Sequence, residues 1–278
     1  ARLDWASIQS FIRTKNVLVT GAAGSVGSEL TRLIAGLQPG LLLLIDRAEN
    51  PLFFLEAEIR GTFPDVPLVV QVGDVTDQEE MGGLLAEFSP HVVFHAAAHK
   101  HVPLMERTPG EAVKNNVGGT YTIARSAQEA GVDTFVLVST DKAVNPTSVM
   151  GATKRLAELL IQELNEQGKT RLLGVRFGNV LGSNASVVPI FKRQINNGGP
   201  VTVTHPQVQR YFMSVSEAAG LILQAGAAGS GGECFVLDMG DPVKIVTLAE
   251  TLITLSGLTP YEEMDIVFTG LRPGEKLS

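Results

Sequence analysis

Three consecutive side chains able to handle protons, Thr140, Asp141 and Lys142, stand in the run Val138-Ser139-Thr140-Asp141-Lys142-Ala143, directly after an apolar segment. A carboxyl and an amine side by side can perform opposite proton tasks in one reaction, Asp141 as acid and Lys142 as base. The lysine must then be neutral, which burial or a nearby cation promotes. Lys154 offers that cation. It closes Met150-Gly151-Ala152-Thr153-Lys154, which opens a helix and puts Met150 and Lys154 on one face. An isolated Asp-Lys pair is as often a solvated turn. Its place at the carboxyl edge of a central strand, where ligands of open α/β sheets bind, argues for chemistry.

A second group of residues suits a dinucleotide. Gly21-Ala22-Ala23-Gly24-Ser25-Val26-Gly27 joins a short apolar strand to a helix. The glycines permit positive φ and close backbone approach, and the helix start at Ser25 and Val26 presents free N–H groups to a pyrophosphate. The spacing is one residue longer than the usual glycine fingerprint, so context has to support it. Asp46 ends the next strand, 19 residues after Gly27, where a ribose-binding carboxylate is expected. It would accept from both ribose hydroxyls and repel a 2′-phosphate, favouring NAD over NADP, although Arg47 beside it keeps NADP open. Asp74 and Val75 follow the third strand, at the adenine position. Ala96, Ala97 and Ala98 follow the fourth, where small side chains let the backbone pass close to the cofactor.

The elements that must position these residues alternate. Apolar strands are predicted at 17–20, 41–46, 68–72, 91–95, 135–139 and 172–177. Helices are predicted at 5–13, 25–37, 51–61, 77–88 with Thr76 as N-cap, 109–130 and 148–167. Such alternation specifies α/β: a doubly wound parallel sheet with helices on both faces. Beyond 178 glycine, proline and asparagine interrupt the pattern. The chain divides into a helix and linker at 1–16, a dinucleotide-binding domain at 17–178 and a smaller substrate-binding region at 179–278, from which 234–237 returns a strand to the main sheet.

Composition narrows the function. The chain has 278 residues, a net charge of −7 and 18% charged residues, which disfavours nucleic acid as a partner. A single cysteine, Cys234, rules out an internal disulfide and fits a reducing, cytoplasmic compartment. No apolar run approaches the roughly 20 residues of a membrane span. A start at Ala1 without a signal pattern, and an end just past a motif, suggest a piece of a longer protein. His91, His95 and His99 recur every four residues but straddle a strand and its loop, so no metal site is expected.

The glycine loop, Asp46, Asp74, the alanine triplet and Lys154 resemble the extended short-chain dehydrogenases/reductases. That family normally carries Tyr-x-x-x-Lys; here Met150 replaces the tyrosine, which disfavours an ordinary carbonyl reductase. The finer resemblance is to UDP-N-acetylglucosamine 4,6-dehydratases of the polysaccharide-biosynthesis branch, notably the membrane-anchored members that also have Met at this place. It rests on Ser139 to Ala143, Val149 to Arg155, Ala98-His99-Lys100-His101-Val102-Pro103, Arg176-Phe177-Gly178-Asn179-Val180-Leu181-Gly182-Ser183 and Leu271-Arg272-Pro273-Gly274-Glu275-Lys276-Leu277. The resemblance implies a redox-neutral reaction. C4 of the sugar loses hydride to NAD, the 4-ketone acidifies the C5 proton, Lys142 removes it, Asp141 protonates the departing 6-hydroxyl, and hydride returns to C6. Thr140 would bond O4, and Lys154 would hold the nicotinamide ribose. The residue that accepts the O4 proton stays open, Thr140 relaying to Asp141 being one route.

The resemblance also implies substrate residues. Arg210 and Arg272 would meet the diphosphate, Glu275 the uridine ribose, and Asn179 a phosphate or the sugar. Val187, Val188, Pro189 and Phe191 would line the uracil pocket, and Lys100 and His101 would lie near the sugar. Asn116 would shape the site from the cofactor side. Further implications are a homo-oligomer and a longer parent anchored at the cytoplasmic face of the inner membrane. Two competing readings are a UDP-sugar 4-epimerase and a non-catalytic NAD-binding module.

Overall fold

Strand residues alternate between two cores. Val17 and Val19 of β1 (Asn16–Thr20) and Leu42 and Leu44 of β2 (Leu41–Asp46) face one apolar cluster, while Leu18, Leu43 and Ile45 face another. This is the period-2 signature of strands buried on both sides, and it is why these runs read as continuously apolar. In the computed structural model, which describes residues 3–182 and 186–277, they continue into β3 (Leu68–Val72), β4 (Val92–His95), β5 (Thr134–Val138) and β6 (Arg171–Arg176). Among the described residues the main sheet is parallel and seven-stranded, in the order β11-β6-β5-β4-β1-β2-β3, where β11 is Cys234–Val236.

On one face lie α1 (Trp5–Ile12), α2 (Ser25–Gly36), α3 (Glu49–Thr62) and α10 (Val215–Ala228), contributing Ile8, Leu30, Ile34, Leu52 and Ile222. On the other lie α4 (Gln78–Phe88), α7 (Gly119–Glu129) and α8 (Val149–Gln167), contributing Leu85, Ile123, Ala157 and Ile161. Removing each such side chain from water contributes about 1.5–3 kcal/mol. A third core joins α9 (Val187–Asn196), β8 (Val201–Val203), α11 (Ile245–Leu255) and β13 (Ile266–Phe268) through Phe191, Val201, Ile253 and Ile266. The ribbons β7 (Asn179–Leu181) with β10 (Phe212–Ser214), and β9 (Gln209–Arg210) with β12 (Val243–Lys244), complete this part.

Several expectations need correction. The N-cap of α4 is Asp77, whose carboxylate accepts the Glu80 N–H at 3.0 Å, rather than Thr76. A short helix α5 (Val102–Arg107) was not anticipated; Pro103 at its first turn suits a helix start. The single helix expected over 109–130 is α6 (Pro109–Ala112), a π-helical stretch Val113–Gly118, and α7. The wider π turn carries the buried Asn115 and Asn116, and π segments commonly mark functional sites.

Candidate active site

The carboxyl ends of β1, β2, β4 and β5 converge at one edge of the sheet, because Thr20 pairs with both Ile45 and His95, and His95 with Leu137. Gly21 turns there with φ +64°, and a Cβ on it would collide with the Ala97 backbone. A Cβ on Gly27 would strike the Gly21 carbonyl oxygen, and one on Gly24 would lie 3.2 Å from that same atom. The three glycines are thus dictated by a loop packed backbone on backbone. Among the described residues no side chain caps α2, which begins at Ser25 and Val26 at the loop mouth.

An open cleft of about 500 Å³, solvent space included, is lined by Gly21, Gly24, Asp46, Arg47, Gly73, Asp74, Val75, Ala96, Ala97, Ala98 and Asn115. The Asp46 carboxylate accepts N–H groups from Ala23 at 2.9 Å and Ala48 at 2.8 Å, which fixes its direction and leaves lone pairs for further donors. The Thr76 backbone N–H holds the Asp74 carboxyl below the usual carboxylate range. Arg47 lies against the His99 ring, 3.0 Å from Nε2. A glycine-built loop at a helix start, with a fixed carboxylate one strand away, fits a dinucleotide.

Asn116 sits behind this cleft rather than in it. It is fully buried, and its amide is spent on protein groups. Oδ1 accepts from the His99 N–H at 2.8 Å, and Nδ2 donates to the His99 carbonyl and to Thr153 Oγ1, both at 3.0 Å. It therefore clamps the 96–101 loop to α8, and the neighbouring Asn115 is the asparagine that lines the cleft. Nothing in the sequence separates the two; the π turn does, by placing them on different faces.

After β5, a 3₁₀ turn Asp141–Ala143 gathers the proton-handling residues. Thr140 Oγ1 donates to Asp141 Oδ1 at 2.8 Å. Lys142 Nζ donates to the same oxygen at 2.9 Å and to Asn179 Oδ1 at 3.0 Å. The turn is hung on β6 by the Asp141 N–H to the Phe177 carbonyl, 2.9 Å. Lys154 is buried, and desolvation pushes its ammonium down to about 8. Met150 packs with Met105 and Ala112 at 3% exposure, an apolar filler.

Beneath these residues lies a cluster that sequence reasoning missed. Glu158, four residues after Lys154 and itself buried, accepts from Ser139 Oγ at 2.6 Å. It also accepts from Arg176 Nε and Nη2, at 2.8 and 2.6 Å, and from Arg155 Nη1 at 3.0 Å. A glutamate one turn beyond the lysine, on its face, was the available signal.

His95 is buried between Thr20 Oγ1 at 2.7 Å and Thr120 Oγ1 at 3.1 Å. Thr120 gives its own proton to the Asn116 carbonyl, so Nε2 of His95 carries the hydrogen and Nδ1 accepts from Thr20. Burial, with Lys154 nearby, pushes this imidazole down to about 3. Among the described residues no cluster of three His, Cys, Asp or Glu is arranged to hold a metal.

On the other bank, Glu275 bridges the two expected arginines. Oε1 lies 3.4 Å from Arg210 Nη2, and Oε2 lies 3.3 Å from Arg272 Nε. Arg210 also donates to the Lys276 carbonyl at 2.8 Å, and Asp141 contributes to its electrostatic surroundings. The segment 271–277 is fastened to the end of the Asp141–Ala143 turn by Lys276 Nζ on the Val144 carbonyl, 2.5 Å. Phe191 departs from expectation. At 2% exposure it is a core side chain, because the α9 stripe Phe191–Ile195 faces β8. Val187 and Val188 are half-buried at the start of α9, Pro189 is exposed, and Lys100 and His101 lie exposed ahead of α5. Ser183 lies outside the described residues.

A family model described as "Polysaccharide biosynthesis protein" matches residues 17–278. The chain belongs to this family. It is 54% identical over 276 residues to the probable polysaccharide biosynthesis protein EpsC of Bacillus subtilis, covering 99% of this chain and 46% of that protein. It is 33% identical to a UDP-N-acetylglucosamine 4,6-dehydratase (inverting) of Campylobacter jejuni, over 95% of this chain and 76% of that one. A UDP-glucose 4-epimerase of Rickettsia rickettsii is also 33% identical, over 94% and 76% of the two chains. The X-ray structure of Pen from Bacillus thuringiensis superposes with a TM-score of 0.89 at 32% identity, covering 96% of this chain and 83% of that one. The chain spans about half the length of the first curated relatives it matches. Among the described residues, no helix is long and apolar enough to cross a membrane.

Proposed function

We propose that this chain dehydrates UDP-N-acetylglucosamine to a UDP-2-acetamido-2,6-dideoxy-4-keto-hexose, with NAD as a recycled cofactor, for polysaccharide or glycan synthesis. The observation that carries this reading is the Thr140-Asp141-Lys142 cluster, a hydroxyl and an amine donating to one carboxylate oxygen at the sheet edge, with Met150 where a reductase of this family has tyrosine. The cofactor would be held by the loop of Gly21, Gly24 and Gly27, with Asp46 and Asp74 on its ribose and adenine. When bound it supplies a hydride acceptor toward C4 and a hydride donor toward C6.

The remaining steps are proton movements among side chains of this chain. A shift along the 2.9 Å contact from Lys142 Nζ to Asp141 Oδ1 leaves a neutral amine and a protonated carboxyl, the forms a base and an acid require. Lys142 then takes the C5 proton, and Asp141 protonates the departing 6-hydroxyl. Thr140 bonds O4 and relays its proton to water as C4 is oxidised, and Lys142 returns a proton to C5 when C6 receives hydride. Charged Lys154 favours negative charge developing at O4. Arg210 and Arg272 receive the diphosphate once it displaces Glu275 as their anion.

The test is a mass spectrum after incubation with NAD and UDP-N-acetylglucosamine. The expected product has lost one water and, in D₂O, carries solvent deuterium. Conversion to UDP-N-acetylgalactosamine without mass change would establish the epimerase instead. NAD binding with no turnover of any nucleotide sugar would leave the binding-module reading. The 33% identity to both a dehydratase and an epimerase makes this comparison the decisive one.

A further inference from the structure

The structure assigns Glu158 as a positioning residue, a buried carboxylate that ties the helix carrying Lys154 to the ends of β5 and β6, beside the turn of Thr140, Asp141 and Lys142, and sets a negative charge one helical turn from Lys154. The assignment rests on the dehydratase reading for its kinetic consequence but not for its electrostatic one.

Glu158 is 1% exposed. Its donors come from three elements. Ser139, on which Thr140 directly follows, extends β5; Arg176 ends β6; and Arg155 lies on α8. Cys234 of β11 is a fourth neighbour, its thiol pushed up to about 11 by burial and then by the Glu158 charge. Every donor lies within a few residues of a site group. Arg176 precedes Phe177, whose carbonyl anchors the Asp141 N–H, and Arg155 follows Lys154. A buried ion pair contributes little net stability compared with apolar packing, since desolvation offsets the attraction. What such a carboxylate fixes well is geometry, because four hydrogen bonds in the low-dielectric interior permit one arrangement.

The same carboxylate acts on Lys154 through space. Burial drives the lysine toward its neutral form, and Glu158, one helical turn away, opposes it. Besides Glu158, His95 of β4 interacts electrostatically with Lys154, and Arg155 is its direct neighbour on α8. His95 is neutral, and Glu106 accepts the Val149 N–H at 2.7 Å. Glu111 and Lys114, on the helical segments before α7, are exposed. Removing the Glu158 charge therefore leaves Arg155, next to Lys154 in the chain, without its carboxylate partner, and a like charge nearby disfavours a charged Lys154.

The test uses Glu158→Gln and Arg155→Gln in the full chain, with the Lys154 side chain followed by NMR titration of ¹³C-lysine-labelled protein and assigned with Lys154→Arg. Glu158→Gln is expected to lower the Lys154 midpoint by about one pH unit. It should also lower kcat roughly tenfold with KM for the UDP-sugar within about twofold. Arg155→Gln, which removes a cation and leaves Glu158 tied to Arg176 and Ser139, is expected to raise the midpoint. A folded Glu158→Gln protein with the wild-type midpoint overturns the proposal. So does a shift of both variants in the same direction. If Glu158→Gln fails to fold, Arg155→Gln decides by the sign of its shift. A wild-type chain that titrates as described but forms no dehydrated product would sink the dehydratase reading and leave the Glu158 electrostatics standing.

Discussion

The two banks of the site are built on different principles. The bank proposed for the cofactor is backbone: three glycines, a helix start and a carboxylate oriented by two N–H groups, set at the ends of paired strands. The substrate bank is side chain: Arg210, Arg272 and Glu275 satisfy one another, and Lys142 is shared between Asp141 and Asn179. A backbone site is ready before its ligand arrives and tolerates no added atom. A side-chain site must exchange partners to bind, so substitutions there change affinity or rate while the fold stands.

The contrast can be broken most sharply at Lys142. Lys142→Ala is expected to reduce turnover roughly 10³-fold, the range of a lost general base, with NAD affinity by calorimetry unchanged. A loss of cofactor binding would mean the banks are not separable. Gly27→Ala should do the opposite, removing cofactor binding and lowering Tm, because the new Cβ meets the Gly21 carbonyl oxygen. Retained affinity would show that the loop can yield. Arg210→Ala should raise KM for the UDP-sugar by roughly 10–100-fold with the cofactor Kd unmoved, as expected for loss of a charge-assisted phosphate contact.

Two pH effects sharpen the picture further. If Lys154 acts as a cation, kcat should fall as pH rises through about 8. The smallest effect concerns His95, whose imidazole sits near 3 in the fold against an ordinary value of 6.5. As pH drops below 6.5 the unfolded chain takes up a proton that the folded chain refuses, so stability declines from 6.5 toward 3. Chemical denaturation across that range should show the decline, and His95→Gln should flatten it.

The difference between the banks also explains what could be read from sequence. Apolar runs bounded by glycine gave 41–46 and 68–72 with their observed ends, and the glycine spacing led to the cleft, since backbone sites are encoded by local pattern. Phe191 looked like a pocket residue and is core, because the period that buries it belongs to a packing partner some ten residues on, in β8. Asn116 and Glu158 act through contacts 17 to 37 residues away in sequence and across several elements, which no local spacing reveals. The π turn was invisible for the same reason: its residues have ordinary helical propensities, and the widening accommodates buried asparagines.

The pairing of β11 with β6 has a consequence for how the chain assembles. Cys234 meets Gly174 across 60 residues, and the intervening segment includes all of α9, β8 and α10. Until those have folded, β6 presents an open row of amides and carbonyls, the template on which strands of other chains add. Closing that edge requires a long loop, so it belongs to the slow part of folding. Aggregation during synthesis or refolding should therefore respond to substitutions in β11 and α10 far more than to changes in the glycine loop.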